Sequence, residues 1–170
     1  WRQSAATERA VALERMAELL EENRADLIAR CVMEGGRTVP NALAEVREAA
    51  DFCRYYAQQA NAHFSASVTL PGPSGEDNQL FLTGRGVFAC ISPWNFPIAI
   101  FTGQIAAALA AGNCVVAKPA RATPLCGARV IALFHQAGIP PDVLQYLPGP
   151  SEALAPPLFA HPGPVSYTHL

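Results

Sequence analysis

The sequence predicts an α/β fold in which an N-terminal helical layer precedes an incomplete, doubly wound parallel sheet. Two features of the 170-residue chain predict this arrangement. Apolar residues recur at helical spacing up to residue 64. Beyond residue 86, short apolar runs rich in β-branched residues alternate with Ala-rich stretches of helical length. Strands that alternate with helices pair in parallel through right-handed crossovers.

The N-terminal segment, residues 1–69, is predicted to hold three helices. Their periodic stretches are residues 7–20, 25–33 and 40–64. A glycine pair ends the second helix, and a proline stands in the first turn of the third. We interpret these helices as a supporting layer for the domain that follows.

Residues 70–160 are predicted to form the partial sheet domain, which opens with a linker at 70–78 that is rich in Pro, Gly and polar residues. The predicted elements after the linker are, in chain order, a strand at 87–91, a helix at 97–111, a strand at 113–117, a helix at 124–136, a strand at 143–147 and a helix at 152–159. Three strands form a small sheet with unprotected edges, so we expect the sheet to be incomplete.

Composition argues for a well-packed protein and against several function classes. A formal charge of −2 and a hydrophobic content of 51% fit a buried core and give no basic face for nucleic acid. Residues 86–117 carry no charge, but Pro, Gly, Asn and Gln interrupt the run, so it is too broken for a membrane span of about 20 residues. Five scattered cysteines without a signal peptide indicate a reducing cytoplasm.

Asn95 lies in a Ser-Pro-Trp-Asn-Phe-Pro loop between the strand at 87–91 and the Ala-rich helix. Pro93 ends the strand because it has no N–H for the ladder, and Pro97 suits the first turn of a helix. Such a loop, at a strand's carboxyl end and a helix N-terminus, is where α/β proteins bind ligands and where negative charge is favoured. We therefore expect an anionic group nearby. The Asn95 amide could stabilise an oxyanion, or it could merely cap the helix or the turn.

Lys118 is the only lysine in the sequence, and it also follows a predicted strand. Its ammonium could hold a ribose hydroxyl or a phosphate oxygen, or it could extend to solvent at the sheet rim. Gly149 follows the third predicted strand, where it could admit a cofactor or form a plain turn. The sequence has no Gly-x-Gly-x-x-Gly and no Walker lysine. Its four histidines lack metal-ligand spacing, so no metal site is predicted.

Three ordered motifs together resemble the cofactor-binding half of the aldehyde dehydrogenase superfamily. They are Ser-Pro-Trp-Asn-Phe-Pro at 92–97, Ala-Ala-Gly-Asn at 110–113, and Val-Ala-Lys-Pro-Ala at 116–120 with Thr-Pro at 123–124. The longer stretch at 90–104, preceded by 37–42 and 44–52, is similar to the L-glutamate γ-semialdehyde (Δ1-pyrroline-5-carboxylate) dehydrogenase module of bifunctional proline utilisation A. The resemblance covers residues 1 to about 150.

The resemblance implies a Rossmann-like domain that binds NAD, and it assigns roles residue by residue. Asn95 would be catalytic and would donate to the oxyanion of a thiohemiacetal. Glu45 would lie on the helix that borders the aldehyde. The residues assigned to the cofactor site are Ile91, Ser92, Pro93, Trp94, Asn95, Lys118, Ala120 and Arg121.

The sequence also departs from the family pattern at several positions, and these differences affect the expected cofactor site. Arg121 stands where the family usually has a glutamate that holds the adenosine ribose. An arginine there could accept a 2′-phosphate, which makes NADP an alternative to NAD, or it could simply weaken cofactor binding. Ser151 and Ala155 replace glycines of the adenosine pocket, and Arg37 replaces a usual lysine without an expected effect. Residues 161–170 no longer follow the family, and we interpret them as a non-native tail.

The resemblance also implies that two catalytic groups are missing. None of the five cysteines stands in the family's nucleophile motif, and the general-base glutamate of the family lies further along than this chain reaches. We therefore expect a fragment, truncated at both ends and inactive by itself.

The implied function is NAD-dependent oxidation of L-glutamate γ-semialdehyde to glutamate in proline catabolism. Two alternatives stay open: a dehydrogenase for another aldehyde or semialdehyde, and a non-catalytic dinucleotide-binding or assembly module. The resemblance further implies a homo-oligomeric full-length parent, to which a proline dehydrogenase domain can be fused. We expect a cytoplasmic location, no nucleic-acid contact from this segment and no transmembrane span.

Overall fold

The computed structural model describes residues 1–169, with side chains up to residue 166, and it begins with three helices. Helix α1 is Ala6–Glu22, α2 is Arg24–Gly35 and α3 is Val39–Phe64. Each predicted stretch lies inside one of these helices, and no helix extends more than two residues beyond its prediction. Gly36 ends α2 in the left-handed conformation, with a φ of 63°, which explains the glycine at this position.

Helix α1 packs along α3 and forms the centre of the helical layer. The α1 side of this contact includes the fully buried Leu13, Met16 and Leu20. The buried positions of α3 are mostly small residues, among them Ala49 and Ala57. Small side chains let a neighbouring helix approach closely. No helix among residues 1–169 combines the length and the apolar character that a bilayer crossing needs.

A short hairpin joins the helical layer to the main sheet. Strand β1, Val68–Leu70, pairs antiparallel with β2, Asn78–Leu80. The sequence predicted only a linker at 70–78, and it missed both strands. The physical reason is that each strand is three residues long and almost wholly exposed, so no alternation of buried and exposed positions marks it.

The main sheet consists of parallel strands joined by helices. Its elements are β3 Val87–Ile91, α4 Ala99–Ala110, β4 Cys114–Lys118, α5 Pro124–Gln136, β5 Leu144–Tyr146, α6 Ser151–Ala160 and β6 Pro164–His169. The strand order is β5-β4-β3-β6, and each neighbouring pair is parallel. The predicted α/β class, with a helical layer before a parallel sheet, is confirmed.

The fourth strand, β6, lies in a segment that the predicted sheet left out. The sequence indicates a tail at residues 161–170, whereas Pro164–His169 pairs with β3 along its length. The non-native origin of this segment stays a prediction, and residue 170 lies outside the described residues.

The two faces of the sheet are covered by different helices. Cys90, Val115 and Ala117 belong to the main hydrophobic core, which also includes residues of α4 and α5. Because side chains alternate along a strand, Val116 and Lys118 point to the opposite face. That face carries α6, which has no buried residue and leaves an apolar slot between itself and the sheet.

Helix α4 has no charged residue, and the N-terminal segment provides partners for its carboxyl end. The indole Nε1 of Trp1 donates to the carbonyl of Leu109 at 2.9 Å, and Nε of Arg9 donates to the carbonyl of Ala110 at 3.0 Å. Arg9 is buried, with 4% of its surface exposed. A positive charge at this end complements the helix dipole. These contacts fix the helical layer to the helix that follows the Asn95 loop.

Candidate functional site

The loop that carries Asn95 leaves the carboxyl end of β3 and enters α4. At its start, the Ser92 N–H donates to the carbonyl of Lys118 at 3.2 Å, which ties the loop to the end of β4. Pro93 and Pro97 restrict the backbone on both sides of Asn95. Asn95 is exposed, and no hydrogen bond within the described residues engages its side chain.

Helix capping is not the role of Asn95. Helix α4 begins at Ala99 with Ile98 as its N-cap residue, and no side chain at that N-cap position accepts a hydrogen bond. Of the two roles that the sequence left open, the structure therefore removes the helix cap. The amide faces solvent at the carboxyl edge of the sheet, where a ligand can reach it.

Glu45 of α3 occupies the N-terminus of α4 instead. Its Oε2 accepts hydrogen bonds from the N–H groups of Ile98, at 3.1 Å, and Ala99, at 3.5 Å. Only 1% of Glu45 is exposed. The sequence led us to expect an anionic group beside this helix, and a buried carboxylate of the protein meets that expectation. The helix dipole is consequently not free for a second anion.

Arg37, in the turn between α2 and α3, balances the charge of Glu45. Its Nε lies 2.9 Å from Oε1 of Glu45, in an ion pair whose N–H is not aligned for a directed hydrogen bond. Its guanidinium carbon lies 4.8 Å above the ring centre of Phe96, the residue after Asn95. Burial raises the pKa of Glu45 above its usual range, and the two backbone N–H groups and Arg37 oppose this shift. The expected aldehyde-side role of Glu45 stays a prediction.

Lys118 ends β4 directly beside the Asn95 loop, since it pairs in register with Ile91. It is 3% exposed, so it does not extend into solvent. Its Nζ donates to Oγ of Ser151 at 3.0 Å and to the carbonyl of Pro119 at 3.4 Å. An ammonium has three N–H groups, so these two contacts leave one donor for another acceptor.

Arg121 and Gly149 lie further along the same edge. Arg121 is exposed and forms an ion pair with Glu152, with Nη1 and Oε1 3.4 Å apart. Gly149 has a φ of 152°, and a Cβ at this position would lie 2.8 Å from a methyl group of Leu154. The start of α6 therefore requires the glycine, which favours a structural role over close approach of a cofactor.

The remaining predicted cofactor residues share the carboxyl edge of β3 and β4. They differ in exposure, from buried Ser92 through half-buried Ile91, Pro93 and Ala120 to Trp94, which is 57% exposed. The structure thus brings the two predicted groups, residues 91–95 and 118–121, to adjacent strand ends. Among the side chains that the structure describes, those of residues 1–166, no group of three or more His, Cys, Asp or Glu could hold a metal ion.

Sequence reasoning missed several residues that build this edge. Glu34 of α2 accepts hydrogen bonds from the N–H groups of Leu125 and Cys126, both at 2.7 Å, and so caps α5 as Glu45 caps α4. Ser151, read only as a lost glycine, is the partner of Lys118. No local pattern marks these contacts, because each joins residues far apart in the sequence.

The described cysteines have the surroundings of structural residues. Cys31, Cys53, Cys90 and Cys126 are buried, and Cys114 is half-buried at the amino end of β4. Burial raises the pKa of Cys90 to about 12 and also raises that of Cys53. The pKa of Cys126 is also raised, and the largest cause is its hydrogen bond with the Cys31 thiol. Burial is the second cause. A nucleophilic thiol needs the opposite shift.

Comparison with known proteins places this architecture in a family. The family model described as "Aldehyde dehydrogenase family" matches residues 1–166. The chain belongs to the aldehyde dehydrogenase family. The match ends at residue 166, inside β6, so it extends beyond the residues 1 to about 150 that the sequence motifs covered.

Two groups of relatives resemble this aldehyde dehydrogenase chain in sequence. It is 49% identical to the bifunctional protein PutA of Escherichia coli strain K12 over 154 residues, which are 91% of the chain and 11% of that protein. It is 36% identical to the 1-pyrroline-5-carboxylate dehydrogenase of Anoxybacillus flavithermus over 162 residues, which are 95% of the chain and 31% of that protein. The chain therefore spans well under half the length of these relatives.

Solved structures give the same grouping. A structure of proline utilization A with proline bound in remote sites has a TM-score of 0.96 and 50% identity, over 99% of this chain and 17% of that one. A 1-pyrroline-5-carboxylate dehydrogenase from Thermus with bound NAD has a TM-score of 0.91 and 40% identity, over 98% of this chain and 32% of that one. The fold is therefore that of the matching part of these enzymes.

Proposed function

We propose that this chain is the nucleotide-binding part of an NAD-dependent aldehyde dehydrogenase that oxidises L-glutamate γ-semialdehyde to glutamate in proline catabolism. One observation carries the proposal: the Asn95 amide is exposed and without a protein partner among the described residues, next to the end of β4. An amide N–H held in this way can donate to an oxygen that becomes negative during the reaction. The likeness to PutA and 1-pyrroline-5-carboxylate dehydrogenases supports the substrate.

The residues at this edge fit a dinucleotide. The unassigned N–H of Lys118 suits a ribose hydroxyl, and Trp94, in the loop that follows the neighbouring strand β3, offers an exposed aromatic surface. The bound cofactor would supply the hydride acceptor of the oxidation. Arg121 is exposed, and its one ionic partner among the described side chains is the exposed Glu152, so it can exchange that partner for a 2′-phosphate. We therefore infer that NADP is accepted alongside NAD.

In the proposed reaction, a base takes the proton of a thiol, the thiolate sulfur bonds to the aldehyde carbon, and the electron pair of the C=O double bond moves to the oxygen, which takes the negative charge. Asn95 donates its side-chain N–H to that oxygen and so stabilises the thiohemiacetal. Removing one such donor from an oxyanion site costs a factor of about 100 to 1,000 in kcat. The edge that carries Asn95 also orients the aldehyde towards the cofactor site at the end of β4.

The thiol must come from outside these 170 residues. Cys31, Cys53, Cys90 and Cys126 are buried, so a substrate cannot reach their thiols, and Cys114 stands at the end of β4 that is opposite to Lys118. We infer that the chain alone has no dehydrogenase activity. A full-length parent would supply the nucleophile and base. It would act in the cytoplasm as a homo-oligomer, with or without a fused proline dehydrogenase domain.

Calorimetric titration of the purified chain with NAD+ and NADP+ tests the cofactor part of this proposal. We expect Lys118→Ala to weaken binding of both nucleotides by about tenfold or more, because a hydrogen bond to a charged group is lost. Arg121→Glu should weaken NADP+ binding about tenfold more than NAD+ binding. Arg54→Ala, which removes a cation paired with Glu21 on the helical layer, is the charge-matched control.

Two results would contradict the assignment of the site. One is binding that Lys118→Ala leaves unchanged, and the other is an equal loss in Arg54→Ala. A folded chain without any nucleotide affinity would favour an assembly module over a dehydrogenase part.

A further inference from the structure

We propose that Arg37 and Glu45 are positioning residues that hold Asn95 in place from the helical layer. The inference rests on the proposed function, because it concerns how the amide of Asn95 is oriented. Neither side chain reaches the exposed amide; both act on the residues that follow it. The two residues are called the loop brace below.

The first step concerns the two ends of the Asn95 loop. At the β3 end, the loop is fixed by the hydrogen bond from the Ser92 N–H to the carbonyl of Lys118. At the α4 end, the N–H groups of Ile98 and Ala99 donate to Glu45, and this contact crosses from one layer to the other. The position of Asn95 therefore depends on a carboxylate 50 residues earlier in the sequence.

The second step concerns the middle of the loop. Phe96 is half-buried, and its ring lies under the guanidinium of Arg37 at 4.8 Å. The same guanidinium pairs with Glu45, so one side chain contacts both the residue after Asn95 and the cap of α4. Gly35, the last residue of α2, lies two positions before this arginine, and a Cβ placed on it would lie 3.7 Å from Cγ of Pro97. The turn between α2 and α3 thus packs against the loop.

The third step concerns charge. Asn95 itself forms no hydrogen bond within the described residues, so nothing on its own side chain fixes its direction. A buried ion pair is a weak source of stability, because desolvation offsets the attraction between the charges. The clearest benefit of the Arg37–Glu45 ion pair is geometric. The loop contains two prolines, and it is held at Ser92, Phe96 and Ile98, so its backbone has little freedom. An arginine is suited to this task because its planar guanidinium can pair and stack at once.

NMR relaxation of the isotope-labelled 170-residue chain tests the loop brace without nucleotide or aldehyde, so its outcome is independent of the cofactor titration. The probes are the backbone N–H and the side-chain amide of Asn95. In the wild-type chain we expect a backbone order parameter of about 0.85, and in Arg37→Ala and Glu45→Ala a fall below about 0.6. Glu45→Ala should also accelerate amide exchange of Ile98 and Ala99 by about tenfold or more.

Glu34→Ala is the matched control, because Glu34 caps α5 in the same way that Glu45 caps α4. It should leave the order parameter of Asn95 unchanged while accelerating amide exchange of Leu125 and Cys126. Arg37→Lys retains the charge but not the planar stack, so it should loosen the loop nearly as much as Arg37→Ala. If Glu45→Ala does not fold, Arg37→Ala and Glu45→Gln carry the test. Unchanged order at Asn95 in the brace variants, or an equal loss in Glu34→Ala, would overturn the inference.

Discussion

Replacement of Arg9 by methionine tests whether the helical layer holds the helix that follows the Asn95 loop. Arg9→Met keeps the length of the side chain and removes the donors to two carbonyl groups, those of Ala110 and Ser4. A buried acceptor left without a donor costs about 1–3 kcal/mol, which gives about 2–6 kcal/mol for the pair. Burial lowers the pKa of Arg9, which shows that the charged form is costly to bury, so part of this loss is recovered. We expect a net loss of about 2 kcal/mol in the free energy of unfolding.

Urea unfolding followed by circular dichroism measures this loss. With a denaturant slope of about 2 kcal/mol/M, the midpoint should fall by about 1 M. Arg15→Met on the same helix is the control, because its ion pairs with Glu18 and Glu22 are exposed to solvent and should contribute little to stability. Equal midpoints for Arg9→Met and Arg15→Met would refute the reasoning.

Two further predictions concern α4 and its cap. The raised pKa of Glu45 means that the folded chain binds a proton more tightly than the unfolded chain, so the stability from this group is highest at low pH and decreases as pH rises above about 4.3. Urea midpoints from pH 4 to 7 should therefore decrease relative to those of Glu45→Gln, and parallel profiles would contradict the shift. Gly103→Leu should lower the free energy of unfolding by about 1–3 kcal/mol, because a Cβ at Gly103 already lies 2.9 Å from the ring of Phe52. An unchanged urea midpoint for this variant would mean that α3 and α4 separate without cost.

The sequence correctly predicted those structural features that depend on residues adjacent to one another in the chain. The bounds of β3 coincide with the predicted strand at 87–91, because an apolar run followed by Pro93 has a clear start and end. The positions of Asn95 and Lys118 followed from the same local logic, since Asn95 lies in the loop after β3 and Lys118 ends β4. The strand β6 was not predicted, because residues 161–170 were interpreted as a tail. The strands β1 and β2 were not predicted, because exposed three-residue strands carry no burial pattern.

The contacts around the site could not be predicted, because they join distant parts of the chain. Glu45 lies 53 residues before the N–H that it accepts from, and Glu34 lies 91 residues before its own. Nothing in the sequence marks either glutamate as the cap of a distant helix, because both lie on charged helices. The ionic partner of Arg121 and the hydroxyl partner of Lys118 also depend on where α6 begins, 30 or more residues later.

The most direct test of this account is a map of the NAD+ contact surface on the isotope-labelled chain. Added NAD+ should shift the NMR signals of Trp94, the Asn95 side-chain amide and residues 118–121, and the signals of α1 should stay in place. Lys118→Ala should remove these shifts at the same nucleotide concentration. Shifts that lie elsewhere, or that persist in Lys118→Ala, would contradict the assignment of the nucleotide site to the carboxyl edge of β3 and β4.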